Sequence, residues 1–339
     1  MTIRTRPTVL VFLDSPQRTV ETVRPAVLEL ITLGRTLGRV DVVTLGAPTV
    51  EVLATLGAYG VHLVHQAQVP TSLPESSYRL TSVLASVLAT AVRRNDADVL
   101  LVPSSFAGKE AAAVAAARLG SGLVVDASSL AWTGEPGAGD PAPLRLGKRV
   151  FAGTWTTVST VASDPAVVTV RANTVVAEPA AVATEAVVEP LPVEVEAPRV
   201  TVVERTLKER AAGRPQLEEA AIVVAGGRGT NGDFGPVDDL ADALGAAVGA
   251  TRDAVFEGWF DRYIGQTGVT VAPRLYIGAG ISGAPHHRGG MQASQVIVSV
   301  NNDPEAPIVE QSDFAVVGDL ADVLPQAAAA IREHKAARA

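Results

Sequence analysis

Four short stretches in the second half of the chain combine glycine with groups able to hold an anion or a polar heterocycle. Gly226-Gly227-Arg228-Gly229 ends an apolar run. Glycine lets a backbone pass close to a ligand, and a guanidinium pairs with phosphate oxygens; a tight turn with a solvated arginine accounts for the same residues without a ligand. Gly249-Ala250-Thr251-Arg252 supplies a hydroxyl and a cation, and Gly265-Gln266-Thr267-Gly268 sets two hydrogen-bonding side chains between glycines. Gly278-Ala279-Gly280-Ile281-Ser282-Gly283 has the spacing G-x-G-x-x-G, with Asp303 lying 20 residues beyond its last glycine. Between a strand and a helix this is the dinucleotide fingerprint, in which a helix start receives a pyrophosphate. Pro285 interrupts the first helical turn, and the motif alone does not separate NAD from FAD. His286-His287 follows directly. Adjacent side chains point apart, so one imidazole donating a hydrogen bond to a bound molecule is expected over two ligands to one metal.

Other chemistries lack their residues. There is no Gly-x-Ser-x-Gly elbow and no lysine-bearing phosphate loop. Gly108-Lys109-Glu110 lacks the upstream glycine and reads as a helix cap, while His62, His65 and His334 read as structural or exposed. Cysteine is absent, which removes disulfides, thiolate nucleophiles and Cys-ligated clusters, so redox chemistry here needs a cofactor. With 28 basic against 36 acidic residues the formal net charge is −8, unlike a nucleic-acid or anionic-membrane binder. The apolar run Val9–Leu13 is too short for a signal segment and no stretch reaches membrane-spanning length, so a cytoplasmic location is expected.

The elements that must position these residues form two α/β series, as the 339-residue length suggests. Apolar runs at 8–13, 40–45, 61–65, 98–103 and 122–126 alternate with helical patterns, of which 78–94 and 108–119 are clear. Near-continuous Val/Leu runs imply strands covered on both faces, hence a parallel sheet. Strands at 148–151, 155–161 and 167–171 follow without helices and suggest a small antiparallel addition. From 177 to about 215 the composition shifts to Val, Glu, Pro and Ala, with Val193–Glu196 alternating like an exposed strand. The boundary is placed near 205–214, giving domains 1–205 and 206–339. The second series has strands at 220–225, 246–249, 274–277, 295–300 and 314–317 and a helix over 321–337. Two doubly wound parallel-sheet domains are expected, the second flavodoxin- or Rossmann-like. Its strand ends carry the unusual residues, where ligands of such sheets bind.

Taken as one string, Gly226–Gly229, Leu240–Arg252, Gly265–Gly268, Leu275-Tyr276-Ile277, Gly280–Ala284, His287, Met291, Val300-Asn301, Ala306-Pro307-Ile308 and Val317–Leu320 resemble the C-terminal half of the electron transfer flavoprotein alpha subunit. The resemblance is strong over 220–325; the first half agrees in pattern and in fragments such as Gly120–Asp126. It implies FAD in an extended pocket of the second domain and a beta subunit completing a heterodimer, docked on the first domain. Dehydrogenases, often of the acyl-CoA type, would donate electrons, and a membrane-associated quinone oxidoreductase would accept them. Carried over residue by residue, Arg252 lies near the isoalloxazine, Thr267 and Gln266 near N5, and His287 reaches the pyrimidine-side oxygen. Ser282 and its glycines hold the phosphates with Arg228 and Thr251, while Asn301 and Asp319 serve the adenosine end. Ile264, Gly265, Gly283, Ala284, Pro285, His286 and Leu320 complete the expected lining. This sequence departs from the family pattern at Thr251, where serine is usual, at Pro285-His286, where Ile-Gln is usual, and at Val269 and Asn302, where lysines are common. The segment between Gly258 and Gly265 is shorter than the pattern and carries Trp259, Phe260 and Tyr263.

The leading expectation is an electron carrier without turnover of its own. One alternative is an NAD-dependent enzyme on a deoxyhypusine synthase-like dinucleotide fold, which needs a catalytic lysine or histidine, although the second domain has no lysine between Arg214 and Lys335. Another is a flavin-free interaction subunit, against which Arg228, Arg252, Thr267 and His287 argue.

Overall fold

The computed structural model describes residues 7–15, 18–134, 143–195, 198, 200–204 and 213–338. It separates into two compact units, Met1–Lys148 with Thr157–Leu207, and Arg149–Thr156 with Lys208–Ala339. Much of the expected boundary segment, 205–212, lies outside the described residues, as does Glu196.

The first unit runs β1 (Thr8–Phe12), β2 (Thr19–Val20), α1 (Pro25–Leu37), β3 (Arg39–Thr44), β4 (Ala47–Pro48), α2 (Val50–Ala58), β5 (Leu63–Gln68), α3 (Thr81–Asn95), β6 (Val99–Pro103), α4 (Phe106–Leu119) and β7 (Leu123–Trp132). β8 (Leu144–Val150) and β9 (Trp155–Val161), both mostly within this unit, and β10 (Ala166–Val170) and β11 (Val187–Pro192) follow. Nine strands form one sheet in the order β11-β5-β3-β1-β6-β10-β7-β8-β9. The alternation of β1 divides the core. Val9 and Val11 pack with α1 and α2 residues on one face, and Leu10 and Phe12 with α3 and α4 residues on the other. A strand buried on both faces is expected to be near-continuously apolar, and β1 is so from Val9 to Phe12.

Two expectations are corrected here. β10 does not join the antiparallel addition; it pairs in parallel with both β6 and β7, buried along its whole length. Its sequence AVVTV is as apolar as β1, which fits a central strand better than an edge. The antiparallel addition consists of β8 on β7, with β9 beyond it. Among the described residues the exposed strand of the Val/Glu/Pro region lies at Val187–Pro192 rather than over 193–195, and it extends the sheet in parallel beside β5. Pro190 and Pro192 suit this edge position, where a missing N–H disturbs no second neighbour. At the other motif noted, Ser105 caps α4 by accepting from the Gly108 N–H at 3.0 Å.

The second unit contains β12 (Ile222–Gly226), α5 (Gly235–Leu244), β13 (Ala247–Ala250), α6 (Arg252–Phe256), β14 (Leu275–Ala279), α7 (Pro285–Met291), β15 (Val296–Asn301), α8 (Pro307–Glu310), β16 (Phe314–Val317) and α9 (Leu320–Ala336). Its five strands are all parallel, in the order β13-β12-β14-β15-β16. α5 and α9 pack on one face, around Val224, Leu240, Ile277 and Leu324. The opposite face is covered by Ile264, Val269, Val271, Met291 and Ile308, contributed by loops and short helices. Among the described residues no helix is long and apolar enough to cross a membrane.

Candidate functional site

The strand order reverses direction between β12 and β14, because the chain goes from β12 outward to β13 and returns to the other side. Loops after the two strands part at such a point and leave a crevice beyond their carboxyl ends. Pairing register aligns these ends: Gly226 lies opposite Ala250 on one side and Ala279 on the other, and Ala279 lies opposite Val300. A crevice of about 280 Å³ opens there.

Twelve of the residues expected at the site line it: Arg228, Thr251, Arg252, Ile264, Gly265, Gln266, Thr267, Ser282, Ala284, His286, His287 and Asn301. Gly229, Asp253, Tyr263, Gly280, Ile281, Asn302, Asp303 and Ala306 line it as well. Asp303 had a signal in the fingerprint spacing and Tyr263 one in the shortened segment after Gly258; Asp253 had none, because only the fold brings it to the crevice. Gly283, Pro285, Asp319 and Leu320 are outside the lining. Pro285 opens α7, Asp319 caps α9 by accepting from the Ala321 N–H at 2.8 Å, and Leu320 is buried in the α5–α9 core.

The glycines of the β12 loop work differently from the expectation. A Cβ built on Gly227 would stand 2.3 Å from the Gly280 carbonyl oxygen, so the close approach is between the two loops. Backbone bonds from Gly227 N to Ala279 O and from Gly229 N to Gly280 O, each 3.0 Å, hold them together. Arg228 is left exposed, with Nε 3.3 Å from an Asp253 carboxylate oxygen. Thr251 accepts the Ala254 N–H at 3.4 Å as the cap of α6, and the Arg252 guanidinium lies 5.8 Å from the exposed Phe256 ring.

The Gly265–Gly268 loop is closed on itself and pinned to α7. Val269 N donates to Tyr263 O, Gly265 N to Val269 O and Gln266 N to His286 O. A Cβ on Gly290 would meet Gly265 N at 2.3 Å, so only glycine lets α7 sit this close. Tyr263 and Thr267 join their hydroxyls at 3.0 Å.

His287 is buried, with Nδ1 3.1 Å from the Ile264 carbonyl oxygen and Nε2 2.8 Å from the Tyr276 hydroxyl. A carbonyl only accepts, so Nδ1 carries the proton, and Nε2 must accept from the phenol. Burial lowers the imidazole to about 4, despite the carbonyl partner, and it is neutral near pH 7. In this arrangement the ring offers no N–H to the crevice; it ties the site loop to the sheet core. His286, in contrast, is exposed on the crevice, its Nδ1 3.4 Å from Gln266 Oε1. Asn301 also holds the frame: its amide nitrogen donates to Ile281 O and its oxygen accepts from Asp303 N.

Two guanidiniums, two hydroxyls at strand ends and a glycine loop bearing an amide and a hydroxyl, set at the switch point of a parallel sheet, define a protein that binds a dinucleotide cofactor. Comparison with known proteins narrows the class: residues 216–292 match the model of the electron transfer flavoprotein FAD-binding domain, and 12–196 that of the electron transfer flavoprotein domain. The chain is 42% identical over 318 residues to the electron transfer flavoprotein subunit alpha of Mycobacterium leprae, covering 91% of this chain and 93% of the relative. It is 34% identical over 310 residues to that of Bacillus subtilis, covering 89% and 91%. Over 126 residues, 36% of each chain, it is 51% identical to the mitochondrial subunit alpha of Dictyostelium discoideum. The chain belongs to the electron transfer flavoprotein alpha subunit family, and its cofactor is FAD. The residues present fit that group, since the donor set pairs cations and hydroxyls for a diphosphate with amide and hydroxyl groups for a polar ring edge. The comparisons do not support the NAD-dependent alternative.

Proposed function

We propose that the chain holds FAD in the crevice of its second unit and relays electrons from flavin dehydrogenases, of the acyl-CoA type or a dedicated one, to a membrane quinone oxidoreductase. The observation that carries this reading is the convergence of Arg228, Thr251, Arg252, Gln266, Thr267 and Ser282 on one crevice. Bound FAD supplies the reversible redox chemistry, so the protein's part is binding, orientation and electrostatics. Arg252 sets a cation beside the ring, where it favours added negative charge. Arg228, Thr251 and Ser282 hold the phosphates, Thr267 and Gln266 face the ring's polar edge, and Asn301 with Asp319 serves the adenosine end. Such a carrier turns over no substrate of its own. The relatives' naming as an alpha subunit supports pairing with a beta subunit. The first unit offers the exposed strand β9, with Val158 more than half exposed, as a docking edge. The reading places the carrier in the cytoplasm.

The test is to co-produce the chain with its beta partner and record the visible spectrum before and after adding an acyl-CoA dehydrogenase with its substrate. A two-band flavin spectrum that bleaches supports the carrier. A colourless protein that binds NADH contradicts it.

A further inference from the structure

Tyr263 stands in the segment that departs from the family pattern, and it lines the crevice. Its ring covers the site loop: a Cβ built on Gly268 would lie 2.6 Å from Tyr263 Cδ2 and Cε2, and one on Gly265 would lie 3.4 Å from Cδ2. Its backbone carbonyl accepts from Val269 N, which closes the loop at the base. Its hydroxyl is 3.0 Å from Thr267 Oγ1. Both ends of Tyr263 therefore act on the same few residues, one fixing the backbone of the loop and the other the hydroxyl at its tip.

A threonine hydroxyl has one proton and two lone pairs, and its rotor is free unless a neighbour fixes it. Either hydroxyl could donate on geometry alone; the phenol is the stronger acid of the pair and is assigned as the donor, in which case Thr267 Oγ1 accepts and its own proton points elsewhere. Thr267 is exposed and lines the crevice, so the crevice is a direction open to that proton. A hydroxyl that accepts one hydrogen bond becomes a better donor in the next, as bonds in a chain polarise one another.

We propose that Tyr263 is a positioning residue that fixes the Thr267 hydroxyl as a donor toward the polar edge of the bound flavin ring, and so sets how readily that ring takes up electrons. The inference rests on the FAD reading above and concerns a relay of two hydroxyls, Tyr263 to Thr267 to ring. A donor aimed at a ring atom that gains negative charge on reduction stabilises the reduced form more than the oxidised one. Losing the relay moves the midpoint potential to more negative values.

The experiment uses the full chain with its beta subunit and FAD, comparing Tyr263→Phe, Thr267→Val and the double variant. Readouts are the midpoint potential by dye-equilibrated reduction and the FAD dissociation constant by flavin fluorescence. Tyr263→Phe keeps the ring on Gly268, so the fold and most of the FAD affinity persist. One net hydrogen bond corresponds to a roughly three- to tenfold change in the reduction equilibrium, and that is the shift expected for Tyr263→Phe. Because the phenol acts only through Thr267, adding Tyr263→Phe to Thr267→Val produces no further shift. An unchanged potential in Tyr263→Phe, or equal and additive shifts in the two backgrounds, overturns the proposal while leaving FAD binding intact. Absence of FAD from the wild-type heterodimer overturns instead the reading on which it rests, so the two failures are distinct.

Discussion

The Tyr276 hydroxyl donates to His287 Nε2 at 2.8 Å, where the Tyr276 ring packs into the buried apolar cluster on one face of the sheet. Through Nδ1 the same imidazole holds the Ile264 carbonyl, so one neutral ring joins the core of β14 to the loop bearing Gln266 and Thr267. Burial raises Tyr276 above its ordinary range and lowers His287 to about 4, and the pair is uncharged near pH 7.

This pair gives stability a pH dependence. The unfolded histidine titrates near ~6.5, whereas the native one does so at about 4. Between those values the unfolded chain binds a proton that the native chain does not, so stability falls as pH drops through that window and is flat above it. The difference is of order 2 kcal/mol between pH 7.5 and pH 5. Urea unfolding of wild type and His287→Asn at both pH values checks this. The variant is less stable at pH 7.5 and loses less on acidification; parallel losses would contradict the assignment.

Much of the site was legible in the sequence because glycine and arginine at strand ends declare themselves without tertiary information. Arg228, Arg252 and the Gly265–Gly268 and Gly280–Gly283 loops belong to this class. What the glycines touch was not legible: Gly227 faces the Gly280 backbone, a contact that depends on β12 and β14 being adjacent. The Tyr276–His287 bond likewise needs two segments in register across the fold, and neither residue type signals it alone. The parallel placement of β10 was missed because short spacing after β9 resembles a hairpin, although its unbroken apolar sequence fitted a central strand.

Gly290→Ala tests how tightly α7 seats the site loop. The new methyl would lie 2.3 Å from Gly265 N and 2.4 Å from its Cα, backbone that cannot yield cheaply. A loss of about 1–3 kcal/mol is expected, with FAD affinity falling as the loop is displaced. Thermal unfolding and FAD titration report the two effects; a variant with wild-type affinity would show that the loop does not contact the cofactor.

Arg252→Ala is expected to retain FAD but to weaken its reduced form by about 1 kcal/mol, a modest value because the guanidinium is exposed. Arg252→Lys should recover part of the shift. Spectroelectrochemical titration of the three proteins gives the answer, and identical potentials would remove the charge role.

In the first unit, Asp126 has a backbone φ of 57° and its carboxylate meets Lys109 Nζ at 2.8 Å and the Ser104 hydroxyl. Burial works to raise this carboxyl, but the bonds from Lys109 and Ser104 outweigh it and the net shift is downward. The stabilisation is therefore present above the unfolded value near ~4 and is lost as pH falls through the lower native one. Lys109→Met should cost roughly 1 kcal/mol at pH 7, with the gap to wild type closing in acid. A gap independent of pH would point to packing of the lysine stem instead.

The central claim is that FAD occupies the crevice between the loops that follow β12 and β14. Density for the FAD-bound heterodimer, by crystallography or cryo-electron microscopy, tests it most directly. The account predicts the ring system against Gly265–Thr267, with the Arg252 guanidinium beside it and the diphosphate between Arg228 and Ser282. Flavin bound elsewhere, or this crevice filled by the chain's own side chains with Arg252 directed to solvent, would contradict it.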